Sequence, residues 1–375
     1  MMNLRSKLKN EDNINKISPF LAVLLGFLAG GILMLLSGYN PITGYYNLFY
    51  GGVKGIMEGD FQRIGNVLLQ STPLILSGLA VAFSFSTGVF NIGASGQMYF
   101  GGFVAVFLGV NLDLPRIIHL PVVIIGGILG GALWALIPAI LKAKYKASEV
   151  VSTILCNYIS LELVTYLTRT FIPGPLETQS AVIKETASLR TEWLSKLFDG
   201  SVVNLGLFIA ILVAILYHFF LNRTTYGYEM KVVGLSSDAG KYAGININKN
   251  LLLSMVISGG IAGLAGVVYY LGYTDFIQLG ALPTYGFDGI AVALLGSNSA
   301  IGVILSSLLL GFLEIGGSFM TVVADIPNEI VDTIVSVIIY FAASVLLIKT
   351  WLRAIAQKES KKNKIDTNAK AEGGK

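Results

Sequence analysis

The chain contains few of the residues from which enzymatic and metal-binding sites are built. Only 13% of its 375 residues are charged, where a typical soluble domain has roughly 25%. It has two histidines, His119 and His218, and one cysteine, Cys156. The single cysteine excludes an intrachain disulfide and a multi-cysteine metal centre, and we expect it to be a small buried hydrophobe. We therefore predict no metal site, no cofactor and no catalytic residues.

Apolar residues, in contrast, make up 54% of the chain, and its mean hydropathy is +0.71. A helix needs about 20 mostly apolar residues to cross a bilayer. Such segments lie near residues 20–38, 64–86, 88–109, 117–141, 150–171, 202–221, 251–272, 276–297, 300–321 and 328–350. The third and the eighth are weak because glycine and polar residues interrupt them. The sequence therefore predicts an all-α, polytopic protein with about ten transmembrane helices in a lipid bilayer.

The distribution of basic residues predicts the orientation of these spans. With ten spans and a cytoplasmic N-terminus, 19 of the 26 Lys and Arg residues fall on the cytoplasmic side, as the positive-inside bias requires. Both termini are therefore predicted inside, with a cytoplasmic segment over 1–19, a transmembrane domain over 20–350 and a basic, disordered tail over 351–375. The formal net charge of +4 resides mainly in loops and tails and does not indicate a nucleic-acid partner.

The same count predicts two halves of opposite orientation. Span two enters the membrane from outside and span seven from inside, so spans two to five and seven to ten have the relation of an inverted repeat. The two weak spans, three and eight, then occupy equivalent places in the halves. Interrupted spans at equivalent places are the best sequence indication of a transport pathway.

Span three contains the polar, glycine-rich segment 90–98, Phe-Asn-Ile-Gly-Ala-Ser-Gly-Gln-Met. Polar or irregular backbone at membrane depth is stable only where protein or a water-filled cavity surrounds it. We therefore predict that Asn91, Ser95 and Gln97 line the pathway. In span eight, Asp288 either lines the pathway or caps the helix, since an isolated charge inside a membrane is costly.

Four more residues are candidates with two interpretations each. Asn157 and Tyr158 in span five hydrogen-bond either a polar cargo or a neighbouring helix. Phe90 and Phe287 either stack on cargo or pack within the protein. Three further acids are expected nearer span ends or at helix contacts, namely Glu162, Glu314 and Asp332.

The loop over 222–250 is the longest internal cytoplasmic loop of this topology. A helix that starts at Ser236 or Ser237, with Asp238 in its first turn, has the chemistry of an N-cap, and Gly244 is suited to end it. The result is a short helix at the cytoplasmic face, which is either a docking element or a solvated connector. The loop lacks the spacing of a phosphate-binding loop, so we expect the chain itself not to bind ATP.

Four segments together resemble permease subunits of bacterial ABC importers of the branched-chain amino acid and simple-sugar group, nearest to its nucleoside-type permeases. These segments are 90–97, 148–159, 227–245 and 286–296, and the resemblance spans about residues 60–350. Two departures occur: members often have Glu where this chain has Ser95, and Asn-Pro where it has Ser299 and Ala300.

The resemblance implies a subunit that forms the pathway for nucleosides in a bacterial cytoplasmic membrane and is not itself an enzyme. It also implies three partners: an ATPase subunit with two nucleotide-binding domains, a second homologous permease and an extracytoplasmic substrate-binding lipoprotein. Residues 237–245 are then the helix that couples to the ATPase, with contacts from Ser237, Asp238, Ala239, Tyr242, Ala243 and Gly244.

Three alternatives stay open from the residues. A simple-sugar permease of the ribose or galactose type would have the same architecture. An ion-coupled secondary transporter would need no ATPase. An intramembrane enzyme would need a nucleophile–base pair or a metal cluster within the spans, and both His119 and His218 are expected to be peripheral.

Overall fold

The computed structural model describes residues 11–354, which divide into two compact units. One contains the described residues up to Pro41 and from Pro327 onward, and the other runs from Ile42 to Ile326. Residues 1–10 of the predicted N-terminal segment and 355–375 of the predicted tail lie outside the described residues. A helix continues to Ala354, so the first residues assigned to the tail are helical.

The first unit consists of α1 (Glu11–Leu36), α14 (Asn328–Ala343) and α15 (Val345–Ala354). The last two helices are bent by 49° where they meet. Gly26 lets α1 approach α14 closely, because a Cβ at this position would lie 2.9 Å from the Cα of Ile338.

The second unit contains twelve α-helices in the described chain, besides a 3-10 helix at Glu185–Ala187 and a π-helix at Tyr270–Thr274. In order they are α2 (Pro41–Glu58), α3 (Phe61–Phe85), α4 (Ala94–Asn111), α5 (Arg116–Tyr145), α6 (Glu149–Phe171), α7 (Glu192–Leu197), α8 (Gly206–Arg223), α9 (Thr225–Leu235), α10 (Ser237–Tyr242), α11 (Ile247–Tyr269), α12 (Tyr285–Leu295) and α13 (Ala300–Ala324). Over residues 11–354 no β-strand forms, and only isolated bridges occur. The all-α prediction is thereby confirmed.

Each predicted span coincides with a helix, but the helices are not equally suited to cross a membrane. Seven helical segments of the described chain are long and apolar enough, and the bent pair α14–α15 would be an eighth. The two weak spans correspond to α4, which begins at Ala94 rather than near 88, and to α12, which has 11 residues. The count of about ten stays a prediction, and α2 is a helix that the search for long apolar runs did not find.

Glycines bring α4, α5 and α11 into backbone contact at the centre of the second unit. A Cβ at Gly131 of α5 would lie 2.6 Å from the Cα of Gly263, and one at Gly101 of α4 would lie 2.7 Å from the carbonyl oxygen of Gly127. Small residues four apart permit such close approach. Gly127 and Gly131 of α5 and Gly259 and Gly263 of α11 have this spacing. Cys156 is buried as expected.

Candidate functional site

The polar segment 90–98 forms a turn followed by the first residues of α4. At its centre, Asn91 and Gln97 are both buried and hydrogen-bond each other twice. Asn91 Nδ2 donates to Gln97 Oε1 at 2.9 Å, and Gln97 Nε2 donates to Asn91 Oδ1 at 3.1 Å. The Asn91 Oδ1 also accepts the backbone N–H of Gly93 at 3.0 Å, which fixes the turn before the helix.

Asn91 also connects the segment to two other helices. Its Nδ2 donates to the Ser258 hydroxyl of α11 at 2.9 Å, and this hydroxyl donates to the carbonyl of Ala80 in α3 at 2.7 Å. Ser258 was not found from the sequence, because a serine in an apolar helix has no distinguishing local pattern. The chain of bonds gives every polar atom of the Asn91 side chain a protein partner.

Helix α6 holds the segment from another side. Asn157 accepts the N–H of Gly96 on Oδ1 at 2.9 Å and donates from Nδ2 to the carbonyl of Ile92 at 3.0 Å. One turn later, the hydroxyl of Ser160 donates to the carbonyl of Gly96 at 2.9 Å. In this structure Asn157 therefore binds a neighbouring segment, which is one of its two interpretations. Ser160 is a second residue that the sequence alone did not indicate.

The two interrupted segments meet at Ser95. Its hydroxyl donates to the carbonyl of Pro283, just before α12, at 2.8 Å. Gly286, in the first turn of α12, lies directly on Ser95, where any Cβ would overlap the Ser95 backbone. A bulkier residue at either position would separate α4 from α12.

The remaining four candidates have exposed or half-buried side chains. Phe90 is 38% exposed and stacks on Phe85, with ring centroids 5.0 Å apart. Phe287 is 42% exposed, and Tyr158 is 63% exposed on the face of α6 that turns away from Asn157. The structure thus places the amides inside the protein and leaves aromatic side chains accessible.

Asp288 lies in the first turn of α12 and is half-buried. Its backbone N–H bonds the carbonyl of Thr284 at 3.0 Å, and the Thr284 side chain hydrogen-bonds its carboxylate. Glu314 interacts electrostatically with this carboxylate. Glu314 lies well inside α13 and is exposed, so it is not near a span end, and the alternative of a place at a helix contact stays a prediction. No local pattern indicates which face of α13 it occupies.

The cytoplasmic-loop prediction agrees with the local structure. The Ser236 hydroxyl accepts the N–H of Ala239 at 3.2 Å and caps α10, Asp238 lies in the first turn, and Gly244 follows the helix with φ of +77°. All six predicted contact residues are exposed: Ser237, Asp238, Ala239, Tyr242, Ala243 and Gly244. Tyr242 is 94% exposed, and Leu235, which the sequence prediction did not include, is 88% exposed.

Helix α9 connects this exposed helix to the turn before the polar segment. Gly234, near the end of α9, lies against the backbone of Ser86 and Gly88, and a Cβ on Gly234 would be 3.0 Å from the N of Gly88. Gly88 has a φ of +75°, which favours glycine. The end of α9 and the entrance to residues 90–98 therefore touch through backbone atoms.

Within residues 11–354, no group of three or more His, Cys, Asp or Glu side chains is placed to hold a metal ion. His119 is buried, and its Nδ1 is hydrogen-bonded to the Thr186 hydroxyl at 2.8 Å. The ring therefore holds the loop that contains Thr186 against α5. His218 lies on α8 and contacts Asn222.

Comparisons with known proteins agree with this architecture. A family model described as the branched-chain amino acid transport system permease component matches residues 63–343. The guanosine ABC transporter permease protein NupP of Bacillus subtilis is 43% identical over 87% of this chain and 92% of its own length. The nucleoside ABC transporter permease protein NupB of Lactococcus lactis is 40% identical over 92% of this chain and 96% of its own length. The glucose ABC transporter permease protein TsgB13 of Haloferax volcanii is 31% identical over 90% of each chain.

The family match covers most of the chain, and these relatives match over nearly their whole length. The resemblance inferred from the four motif segments is confirmed, as is the prediction of a transport subunit rather than an enzyme. The protein is a multi-pass membrane protein, in agreement with its apolar helices. The chain belongs to the family of branched-chain amino acid transport system permease components.

Proposed function

We propose that this chain forms the nucleoside pathway of an ATP-driven importer. The observation that supports the cargo is the identity of 43% and 40% to permeases named for guanosine and nucleoside transport, over at least 92% of each relative's length. The exposed aromatic rings of Phe90 and Phe287 are suited to a cargo that contains a planar base.

In this proposal the buried amides shape the pathway rather than bind cargo. Asn91, Gln97 and Asn157 fix the backbone of residues 90–98, and Ser95 joins it to α12. Asp288, Phe287 and Phe90 are then the predicted residues with surface available to cargo. Tyr158 lies on a separate exposed face, which suits lipid or the second permease.

The exposed α10 is proposed as the docking element for an ATPase subunit with two nucleotide-binding domains. Its flanking Leu235 and its Tyr242 offer apolar and aromatic surface to a cleft. The other proposed partners are a second, homologous permease and an extracytoplasmic substrate-binding lipoprotein. The ten-span topology with both termini inside, the inverted halves and the domain boundaries at 19 and 350 belong to the same proposal.

A simple sugar is the second candidate cargo, because a permease named for glucose is 31% identical over 90% of this chain. Sugars and nucleosides share hydroxyl groups, so the carboxylate of Asp288 fits both. An aromatic base distinguishes the two cargo classes.

The test is uptake by the complete importer in proteoliposomes, with the ATPase, the second permease and the binding protein present. We expect radiolabelled guanosine to enter only with ATP, and ribose or glucose to enter at background rates. Sugar uptake without guanosine uptake would establish the second candidate. Uptake driven by a proton or sodium gradient in the absence of ATP would contradict the ABC mechanism.

A further inference from the structure

A cluster of tyrosine, glutamine and acidic side chains lies between four segments of the second unit and is not part of the site predicted from sequence, apart from Asp288. We refer to it as the tyrosine–acid cluster. It consists of Gln70, Tyr269, Tyr273, Tyr285, Asp288 and Glu314.

Tyr285 is at the centre of this cluster. Its hydroxyl donates to the Oε1 of Gln70 on α3. The ring of Tyr269 lies 5.1 Å from the Tyr285 ring, centroid to centroid, and stacks at 5.6 Å on Tyr273, with an interplanar angle of 29°. The three rings therefore form a continuous aromatic surface where α11 ends and α12 begins.

Two carboxylates lie beside this aromatic surface. Asp288 is one turn after Tyr285 on α12, and Glu314 of α13 is close enough for its charge to act on the Asp288 carboxylate. Tyr273 is 36% exposed, and Glu314 is exposed as well. The cluster thus presents stacking surface and hydrogen-bond acceptors on one accessible face.

The position of Glu314 indicates what this face contacts. An acidic side chain inside a membrane span faces a water-filled cavity or the bundle interior, because contact with lipid is too costly. Leu305 is nine residues earlier in α13, which at 100° per residue places it on the opposite side of the helix, and it is 62% exposed. The apolar face with Leu305 is suited to lipid, and the Glu314 face to water.

From these contacts we infer that the tyrosine–acid cluster is a contact site for nucleosides within the pathway and disfavours phosphorylated nucleosides. The exposed ring of Tyr273 stacks on the base, as aromatic platforms do on nucleic-acid bases. The carboxylates and Gln70 accept hydrogen bonds from ribose hydroxyls. Two nearby negative charges repel a phosphate. The inference rests on the proposed nucleoside transport.

The first test measures ATP-driven nucleoside uptake by the complete importer in proteoliposomes. Tyr273→Ala should lower the initial uptake rate at low nucleoside concentration about tenfold, because it removes stacking surface. In Glu314→Gln, unlabelled nucleoside should inhibit the uptake of labelled nucleoside less than in the wild type. A nucleoside monophosphate should inhibit this uptake more than in the wild type. Tyr166→Ala, at a tyrosine of α6 that is 65% exposed and lies outside the cluster, is the control and should transport at the wild-type rate.

The second test measures accessibility and does not depend on transport. In a Cys156→Ala background, Glu314→Cys in lipid nanodiscs should react with a charged, membrane-impermeant thiol reagent. Millimolar guanosine should slow this reaction at least threefold. Leu305→Cys, the control on the opposite side of α13, should react slowly with or without guanosine.

The outcomes separate the two proposals. If the wild-type importer takes up no nucleoside with ATP, the proposed function fails, and the cluster inference with it. If the wild type transports nucleosides but Tyr273→Ala and Glu314→Gln behave like it, and guanosine does not protect Glu314→Cys, the inference alone is overturned. Each variant is first checked for intact assembly by size-exclusion chromatography.

Discussion

Asn91 and Gln97 hydrogen-bond each other in both directions, at 2.9 and 3.1 Å, inside a part of the chain predicted to lie at membrane depth. Each amide satisfies the other, and Ser258 and Gly93 complete the set around Asn91. A buried polar group without a partner costs free energy, whereas a fully bonded network makes one conformation unique. The pair therefore stabilises the irregular turn at residues 90–98.

Removal of one amide tests the importance of this pair for stability. Gln97→Ala leaves two buried polar atoms of Asn91 with fewer partners and should lower the free energy of unfolding by about 1–3 kcal/mol. The measurement is the thermal midpoint of the purified complex in detergent. Asn111→Ala is the matched control, because the exposed Asn111 side chain bonds only Phe107 in its own helix. Equal midpoints for both variants would contradict the structural role.

The glycine contact between α5 and α11 gives a second pair of variants. A Cβ on Gly263 would lie 3.0 Å from the Cα of Gly131, whereas a Cβ on Gly260 would first meet Ile128 at 3.4 Å. Gly263→Ala should therefore destabilise the protein by about 1–3 kcal/mol through overpacking. Gly260→Ala should be neutral or stabilising, because alanine favours the helix. The measurement is the thermal midpoint of each variant. An unchanged midpoint in Gly263→Ala would show that the two helices are less closely packed.

The proposed docking helix is tested at Ala239. An acid in the first turn of a helix interacts favourably with the helix dipole, so Ala239→Asp should leave α10 folded. It should nevertheless abolish co-purification of the ATPase, because it puts a charge into the contact surface. Ala239→Ser, which stays small and neutral, should retain the ATPase. Normal ATPase binding by Ala239→Asp would count against α10 as the docking element.

The backbone contact at Gly234 predicts a defect in coupling rather than in assembly. Gly234→Ala forces α9 away from Ser86 and Gly88, and so from the turn that leads into residues 90–98. The variant should bind the ATPase normally but transport fewer nucleosides per ATP hydrolysed, by about tenfold. Gly240→Ala has room for its methyl group, with Val233 at 3.5 Å, and serves as control. An unchanged ratio in Gly234→Ala would exclude a role for this contact.

Asp275, which lies outside the predicted membrane spans, should make the stability of the protein depend on pH. Burial raises the pKa of its carboxyl, although the Arg190 guanidinium next to it acts to lower this pKa. A raised pKa in the folded state means that the carboxyl contributes stability below its unfolded pKa and that this contribution is lost as pH rises through the folded pKa. Asp275 has a φ of +63°, and asparagine tolerates this conformation.

The comparison is therefore between the wild type and Asp275→Asn. The thermal midpoint of the wild type, relative to that of Asp275→Asn, should fall as the pH is raised from 4 to 7. Other titrating groups are common to both proteins, so the difference isolates Asp275. A difference that rises with pH would mean that the attraction of Arg190 exceeds the cost of burial.

Local features of the fold followed from the sequence. Long apolar runs located every predicted span on a helix, and the capping residue Ser236 with the terminating Gly244 located α10. These features depend on residues within a few turns of one another, so the local sequence is sufficient to predict them.

The assignment of polar residues did not follow from the sequence in the same way. Ser95 bonds a carbonyl 188 positions away, and Asn91 bonds a hydroxyl 167 positions away. Whether an intramembrane polar group bonds protein or faces water depends on which helix lies against it, and no local pattern contains that information. For the same reason the sequence left two places open for Glu314, a span end or a helix contact, and the structure has it well inside α13.

By itself, the sequence determined that this is a helical membrane permease with a short, capped helix at α10, because hydrophobic length and capping chemistry are local and additive. The tertiary structure decided that the amides of residues 90–98 bond one another and that the tyrosine–acid cluster has the accessible polar surface. The physical reason is that, in a medium that offers no hydrogen bonds, each polar group must find its partner in the packed helices around it.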